Sequence, residues 1–121
     1  MGIICFPFER VIEIEKGMKG QADIGKLQGE LARIDNAILY DGLNDVFEIA
    51  SKYTNSIAMA HALSDVNKRT GLAVALECLS LNDYEITIDH ILMADAMRDL
   101  VLGELNESEF ADILYHKYIN S

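Results

Sequence analysis

Proline is nearly missing from this sequence: Pro7 is its single copy in 121 residues, and it stands where the first turn of a helix tolerates it. Cysteine is scarce as well. Cys5 lies in an N-terminal apolar patch and Cys78 within a long apolar run, and neither belongs to a CxxC pair. That excludes a disulfide framework and a thiolate zinc site, and both thiols are read as reduced, small hydrophobic residues. Positive charge is the third shortage, with 10 Lys and Arg against 20 Asp and Glu and a formal net charge of -10. Such a chain is ill suited to nonspecific DNA or RNA binding, which needs cations to displace counterions, or to an anionic membrane surface. A basic protein partner suits it better. No apolar run approaches the roughly 20 residues that span a bilayer. The start, MGIICFPFER, has no basic leader and is interrupted by Pro7, so it does not read as a signal peptide. Low-complexity tracts are absent, which argues against disorder. A cytoplasmic protein is expected.

What is present is apolar and helical in spacing. Half of the residues are hydrophobic. A chain of this length buries roughly two thirds of its surface and folds without a metal or a cross-link. Phe8, Val11, Ile12 and Ile14 form a short amphipathic stretch ending at Gly17. A glycine-punctuated loop follows, and Asp23 can cap a helix reaching about Ile34. Ala37–Tyr40 is a short apolar run before the turn signal Asp41-Gly42. From about Asn44 a longer helix carries Leu43, Val46, Phe47, Ala50, Tyr53, Ile57 and Ala60 at its periodic positions, with His61 at its end. Leu72 through Leu81 is apolar on nearly every side, which marks a central buried helix. Residues 82–89, NDYEITID, are a break. Asp89 can cap a helix that stops near Gly103. Asn106 with Glu109 resembles a capping box ahead of Phe110, Ile113, Leu114 and Tyr118. The expected class is all-α: one domain over 1–121, about six helices in a single compact bundle around the 67–82 helix.

Residues 61–76, HALSDVNKRTGLAVAL, place the polar residues immediately before that helix. A helix starting near Asn67 has first N–H groups without acceptors inside it, and its dipole favours an anion there. Lys68 and Arg69 in the first turn oppose that dipole, a local rule broken twice in succession. An anionic ligand reverses the sign, and Arg69 is able to grip phosphate through two hydrogen bonds. Asp65 then suits Mg²⁺, which often bridges one carboxylate and phosphate groups. Asn67 suits a phosphate oxygen, and a neutral His61 suits a general base. Plain alternatives stand beside each role: His61 as a polar cap, Asp65 or Asn67 as an N-cap, and Lys68-Arg69 as a solvated face.

The run His61-Ala62-Leu63-Ser64-Asp65-Val66-Asn67-Lys68-Arg69-Thr70 resembles the signature of the Fic/Doc superfamily, His-x-Phe-x-(Asp/Glu)-(Gly/Ala)-Asn-(Gly/Lys)-Arg. The Lys form followed by Thr70 and an Ala/Leu-rich helix is most similar to the death-on-curing (Doc) branch. GQADIGKLQGELARIDN, LNDVFEIASKYTNSIAMAH and LGELNESEFADIL resemble the flanking segments of the family, so the likeness runs from about residue 17 onward.

The resemblance implies a helical toxin of a bacterial toxin–antitoxin pair. Its branch is linked to phosphorylation of translation elongation factor Tu, while related Fic proteins transfer AMP to hydroxyl side chains. It implies His61 as base, Asp65 as Mg²⁺ ligand and Val66, Asn67, Lys68 and Arg69 as the phosphate-binding turn, with ATP as cofactor. The partners implied are an antitoxin protein and a translation factor. Ile38, Leu39 and Tyr40 match the position of a target-docking flap, expected to bind a peptide by strand addition; packing on the core is the other reading of these three side chains. Two positions depart from the pattern. Leu63 replaces the usual aromatic, and β-branched Val66 replaces Gly or Ala. Lys68 stands where AMP-transferring relatives have glycine. A long side chain there crowds a deeply seated phosphate, which favours transfer of the terminal phosphate over AMP. A catalytically inactive antitoxin-binding module is the remaining alternative.

Overall fold

The computed structural model describes residues 8–17, 24–60, 65–86 and 90–120. Among these the chain forms six α-helices: α1 (Phe8–Gly17), α2 (Ile24–Tyr40), α3 (Val46–Ala60), α4 (Asp65–Leu81), α5 (His90–Leu102) and α6 (Glu107–Ile119). The all-α expectation holds. Cys5, Pro7, Asp23, His61 and Asp89 lie outside the described residues.

Local chemistry explains most of the helix ends. The Asp45 carboxylate accepts from the backbone N–H of Phe47 at 3.0 Å and of Glu48 at 3.3 Å, and so caps α3. Asn106 and Glu109 form the full capping box at the start of α6, with reciprocal bonds of 2.8 and 3.0 Å. At the end of α5, Gly103 adopts φ +79°, and the Glu104 N–H returns to the Asp99 carbonyl at 2.9 Å. That is the left-handed glycine stop expected from the sequence.

Two boundaries differ from expectation. The helix α2 does not end near Ile34 but continues to Tyr40, so the apolar run Ala37–Tyr40 is helical. The reason is periodicity: Ile38 lies four residues beyond buried Ile34 and seven beyond buried Leu31, and it packs on the same core face. The chain turns only at Gly42, at φ +74°, where the Leu43 N–H reaches back to the Ala37 carbonyl at 3.0 Å. The helix α4 begins at Asp65, two residues before the expected Asn67.

The centre of the bundle is a pair of helices rather than α4 alone. α3 lies against α2, α4, α5 and α6, whereas α4 lies against α1, α3 and α5. Ile49, Ala50, Tyr53, Ile57 and Ala58 of α3 are sealed from solvent, as are Val74, Ala75 and Leu79 of α4. α4 is also less uniformly covered than its composition suggests. Its Ala73, Glu77 and Ser80 are half-buried and Leu81 is exposed.

Polar contacts fasten the outer helices to this pair. Arg10 of α1 donates to both carboxylate oxygens of Glu77 on α4, with Nε at 2.8 Å from Oε2 and Nη2 at 2.8 Å from Oε1. These bonds, with a further one to Glu13, raise the guanidinium pKa still higher. At the α3–α6 seam, Lys52 and Asn55 each lie 3.1 Å from a carboxylate oxygen of Glu107, and buried Ser51 donates to the Glu107 carbonyl at 2.6 Å.

The α2–α3 seam carries a pH-sensitive contact. The Tyr53 hydroxyl lies 3.4 Å from an Asp35 carboxylate oxygen. Burial raises the Asp35 pKa above its ordinary 3.8, and the Tyr53 hydrogen bond pulls it partly back. The native state therefore holds this proton more tightly than the unfolded chain does. Stability falls as pH rises from 3.8 through the raised native value, and the penalty is fully present at neutral pH. Asp35→Asn keeps an acceptor for Tyr53 and removes the charge. Thermal melts should show it slightly more stable than the parent at pH 7, with the difference vanishing below pH 3.8.

Candidate functional site

The candidate site lies where α3 ends and α4 begins. The two helices are joined through residues 61–64, so the last residue of α3, Ala60, and the first of α4, Asp65, flank His61 in the chain. Because α4 starts at Asp65, the second half of the motif, Asp65 through Arg69, is helical rather than loop. The N–H groups of the first turn, Asp65 to Lys68, have no acceptor within the helix and lie at the positive end of its dipole. His61 is outside the described residues, and the structure describes Asp65, Val66, Asn67 and Lys68 as helical backbone alone.

Arg69 is the motif side chain that the structure does describe. It is exposed. The chain has four arginines and an excess of acidic residues, and three of the four are taken. Arg10 pairs with Glu13 and Glu77, Arg33 with Glu30, and Arg98 with Asp95 and Asp99. Arg69 forms no ion pair with any described residue. A guanidinium at the start of a helix, facing water and paired with no described carboxylate, suits an anion from solution.

Below the helix ends, α3 and α4 touch backbone to backbone. The Thr54 side chain is fully buried, with its hydroxyl 3.0 Å from the Gly71 carbonyl and 3.0 Å from the Ala50 carbonyl. A Cβ added at Gly71 would stand 2.8 Å from the Thr54 carbonyl oxygen. No other residue fits there without moving a helix. Sequence reading overlooked both residues. The available signal was a glycine inside an apolar helix, which is unfavourable by about 1 kcal/mol and so asks for a packing reason.

The flap assignment changes in form. Ile38 packs on the core, while Leu39 is 64% and Tyr40 79% exposed. Their backbone belongs to the last turn of α2, so in this form they offer no strand edge. His116 is exposed on α6, with Nδ1 2.7 Å from the Asp112 carbonyl. Among the described residues no three His, Cys, Asp or Glu gather into a metal-holding cluster, and no helix is long and apolar enough to cross a membrane.

The chain is 31% identical over 102 residues to "Protein kinase doc" of Escherichia phage P1, a match covering 84% of this chain and 80% of that protein. It belongs to the Doc family. No family model matches the chain. Membership of the Doc branch of the Fic/Doc superfamily agrees with the motif at residues 61–70, which falls on the α3–α4 junction in the described fold. The phage relative carries the word kinase in its name.

Proposed function

We propose that this protein is the toxin of a bacterial toxin–antitoxin pair, a single-domain cytoplasmic phosphotransferase that moves the terminal phosphate of ATP to a Ser or Thr hydroxyl of a translation factor resembling elongation factor Tu. The observation that carries this reading is Arg69, an exposed guanidinium at the start of α4 that forms no ion pair with any described side chain of an acidic protein. The name of the phage relative supports it.

In this reading His61 accepts the proton of the attacking hydroxyl as the oxygen bonds to the terminal phosphorus. The bond to the bridging oxygen breaks, and ADP leaves. Asn67, Lys68, Arg69 and the N–H of Val66 hold the phosphates in line. Asp65 is the residue to hold Mg²⁺. A single carboxylate at the head of the helix fits an ion that is bound mainly by phosphate and water oxygens, and the ion supplies charge neutralisation. Neither Leu63 nor Val66 replaces a residue whose side chain is assigned to the proton, the metal or the phosphates. Leu39 and Tyr40 present an apolar surface to the target, now from a helix end.

Two labels of ATP test this. Label from the γ position should appear on elongation factor Tu, and label from the α position should not. Transfer of the α label instead establishes AMP transfer; transfer of neither, with tight antitoxin binding, establishes the binding module. Arg69→Ala should raise the KM for ATP about 10- to 100-fold, the loss of one charge-assisted contact. Arg98→Ala, equally exposed but already paired with Asp95 and Asp99, should leave KM unchanged.

A further inference from the structure

We propose that Thr54 and Gly71 form a positioning pair that sets the spacing between the end of α3 and the start of α4, the two helix ends that flank His61 in the sequence. The inference rests on the phosphotransfer reading and adds to it residues that lie outside the motif.

The argument is geometric. Thr54 lies six residues before Ala60, and Gly71 six residues after Asp65. At 1.5 Å per residue the crossing sits about 9 Å along each helix from the end that flanks the motif. It acts as a pivot. Loss of the contact lets the helices part or slide there, and misplacement of about 1 Å is enough to cost a hundredfold in rate.

The pair fixes the separation and the register of the two helices at that crossing. Glycine at 71 lets the backbones meet, since a Cβ would press on the Thr54 carbonyl at 2.8 Å. The Thr54 hydroxyl then reaches the Gly71 carbonyl at 3.0 Å across the interface. It has one hydrogen to donate, and the Ala50 carbonyl of its own helix, also at 3.0 Å, is the ordinary alternative acceptor. The cross-helix contact is therefore not needed to satisfy the hydroxyl. Its effect is to hold two rods in register.

Thr54→Val keeps the shape and removes the hydroxyl, and Thr54→Ser keeps the hydroxyl. Both are made in the full chain. In ¹⁵N–¹H spectra Thr54→Val should shift the amides of Asp65 through Arg69, and Thr54→Ser should return them to their original positions. With ATP as donor, Thr54→Val should lower kcat about tenfold with KM for ATP within twofold, and Thr54→Ser should restore kcat. Unmoved amides in Thr54→Val overturn the proposal, as does an unchanged kcat in an active protein or a Ser variant that behaves like Val. Amides that move and recover in a protein that transfers no label uphold the pivot and sink the phosphotransfer reading instead.

Discussion

His61→Ala should lower phosphate transfer by about 10²–10⁴-fold while leaving the fold and ATP binding in place. A hydroxyl is a poor nucleophile until its proton has somewhere to go, and alanine offers no acceptor. The residues assigned to the phosphates, Asn67, Lys68 and Arg69, are untouched, so KM for ATP should hardly move. That split separates loss of a base from loss of a site. Chemical rescue is a second check. Free imidazole added to the alanine variant should recover part of the rate. Expression in a bacterial host gives the biological readout: growth arrest by the parent and none by the variant. Arrest that persists in His61→Ala would mean that the protein acts by binding alone.

Gly71→Ala should destabilise the protein by about 1–2 kcal/mol, opposite in sign to the usual effect of that change in a helix. Alanine favours the helical backbone by up to about 1 kcal/mol. Here the new methyl meets backbone at 2.8 Å, not the end of a flexible side chain. Forcing the contact apart costs about 1–3 kcal/mol in a packed interior, and that term wins. Gly29 in α2 is the control. Nothing lies within 4 Å of its added Cβ, and the residue is exposed. Gly29→Ala should therefore stabilise by about 0.5–1 kcal/mol. Chemical denaturation of the two variants reads both signs. Stabilisation by both would mean that α3 and α4 do not touch at Thr54. If they do touch, Gly71→Ala should also lower transfer more than its stability loss explains, because it tilts the helices whose ends flank the motif.

The helices were legible in the sequence wherever a local signal ended them. Asn106 with Glu109, and Gly103, act within four residues of their own position, so a reader of the chain sees them. The run Ala37–Tyr40 was not legible. Four apolar residues suit a short strand or a final helical turn equally well, and packing of Ile38 in line with Leu31 and Ile34 is what decides for the helix. The weight placed on α4 had a similar origin. Its composition is the more apolar to the eye, yet α3 touches more of the bundle because Ser51 and Thr54 are buried with their hydroxyls bonded to carbonyls. Polar residues of that kind read as surface in a sequence.

The sequence alone determined the class, the motif at 61–70 and the roles its residues can play, since periodicity and side-chain chemistry are properties of neighbours along the chain. The tertiary structure decided which arginines pair with described carboxylates and where α3 meets α4. Arg10 reaches Glu77 across 67 positions, and Thr54 reaches Gly71 across 17. Contacts between residues so far apart follow from how the helices pack, and no local pattern encodes them.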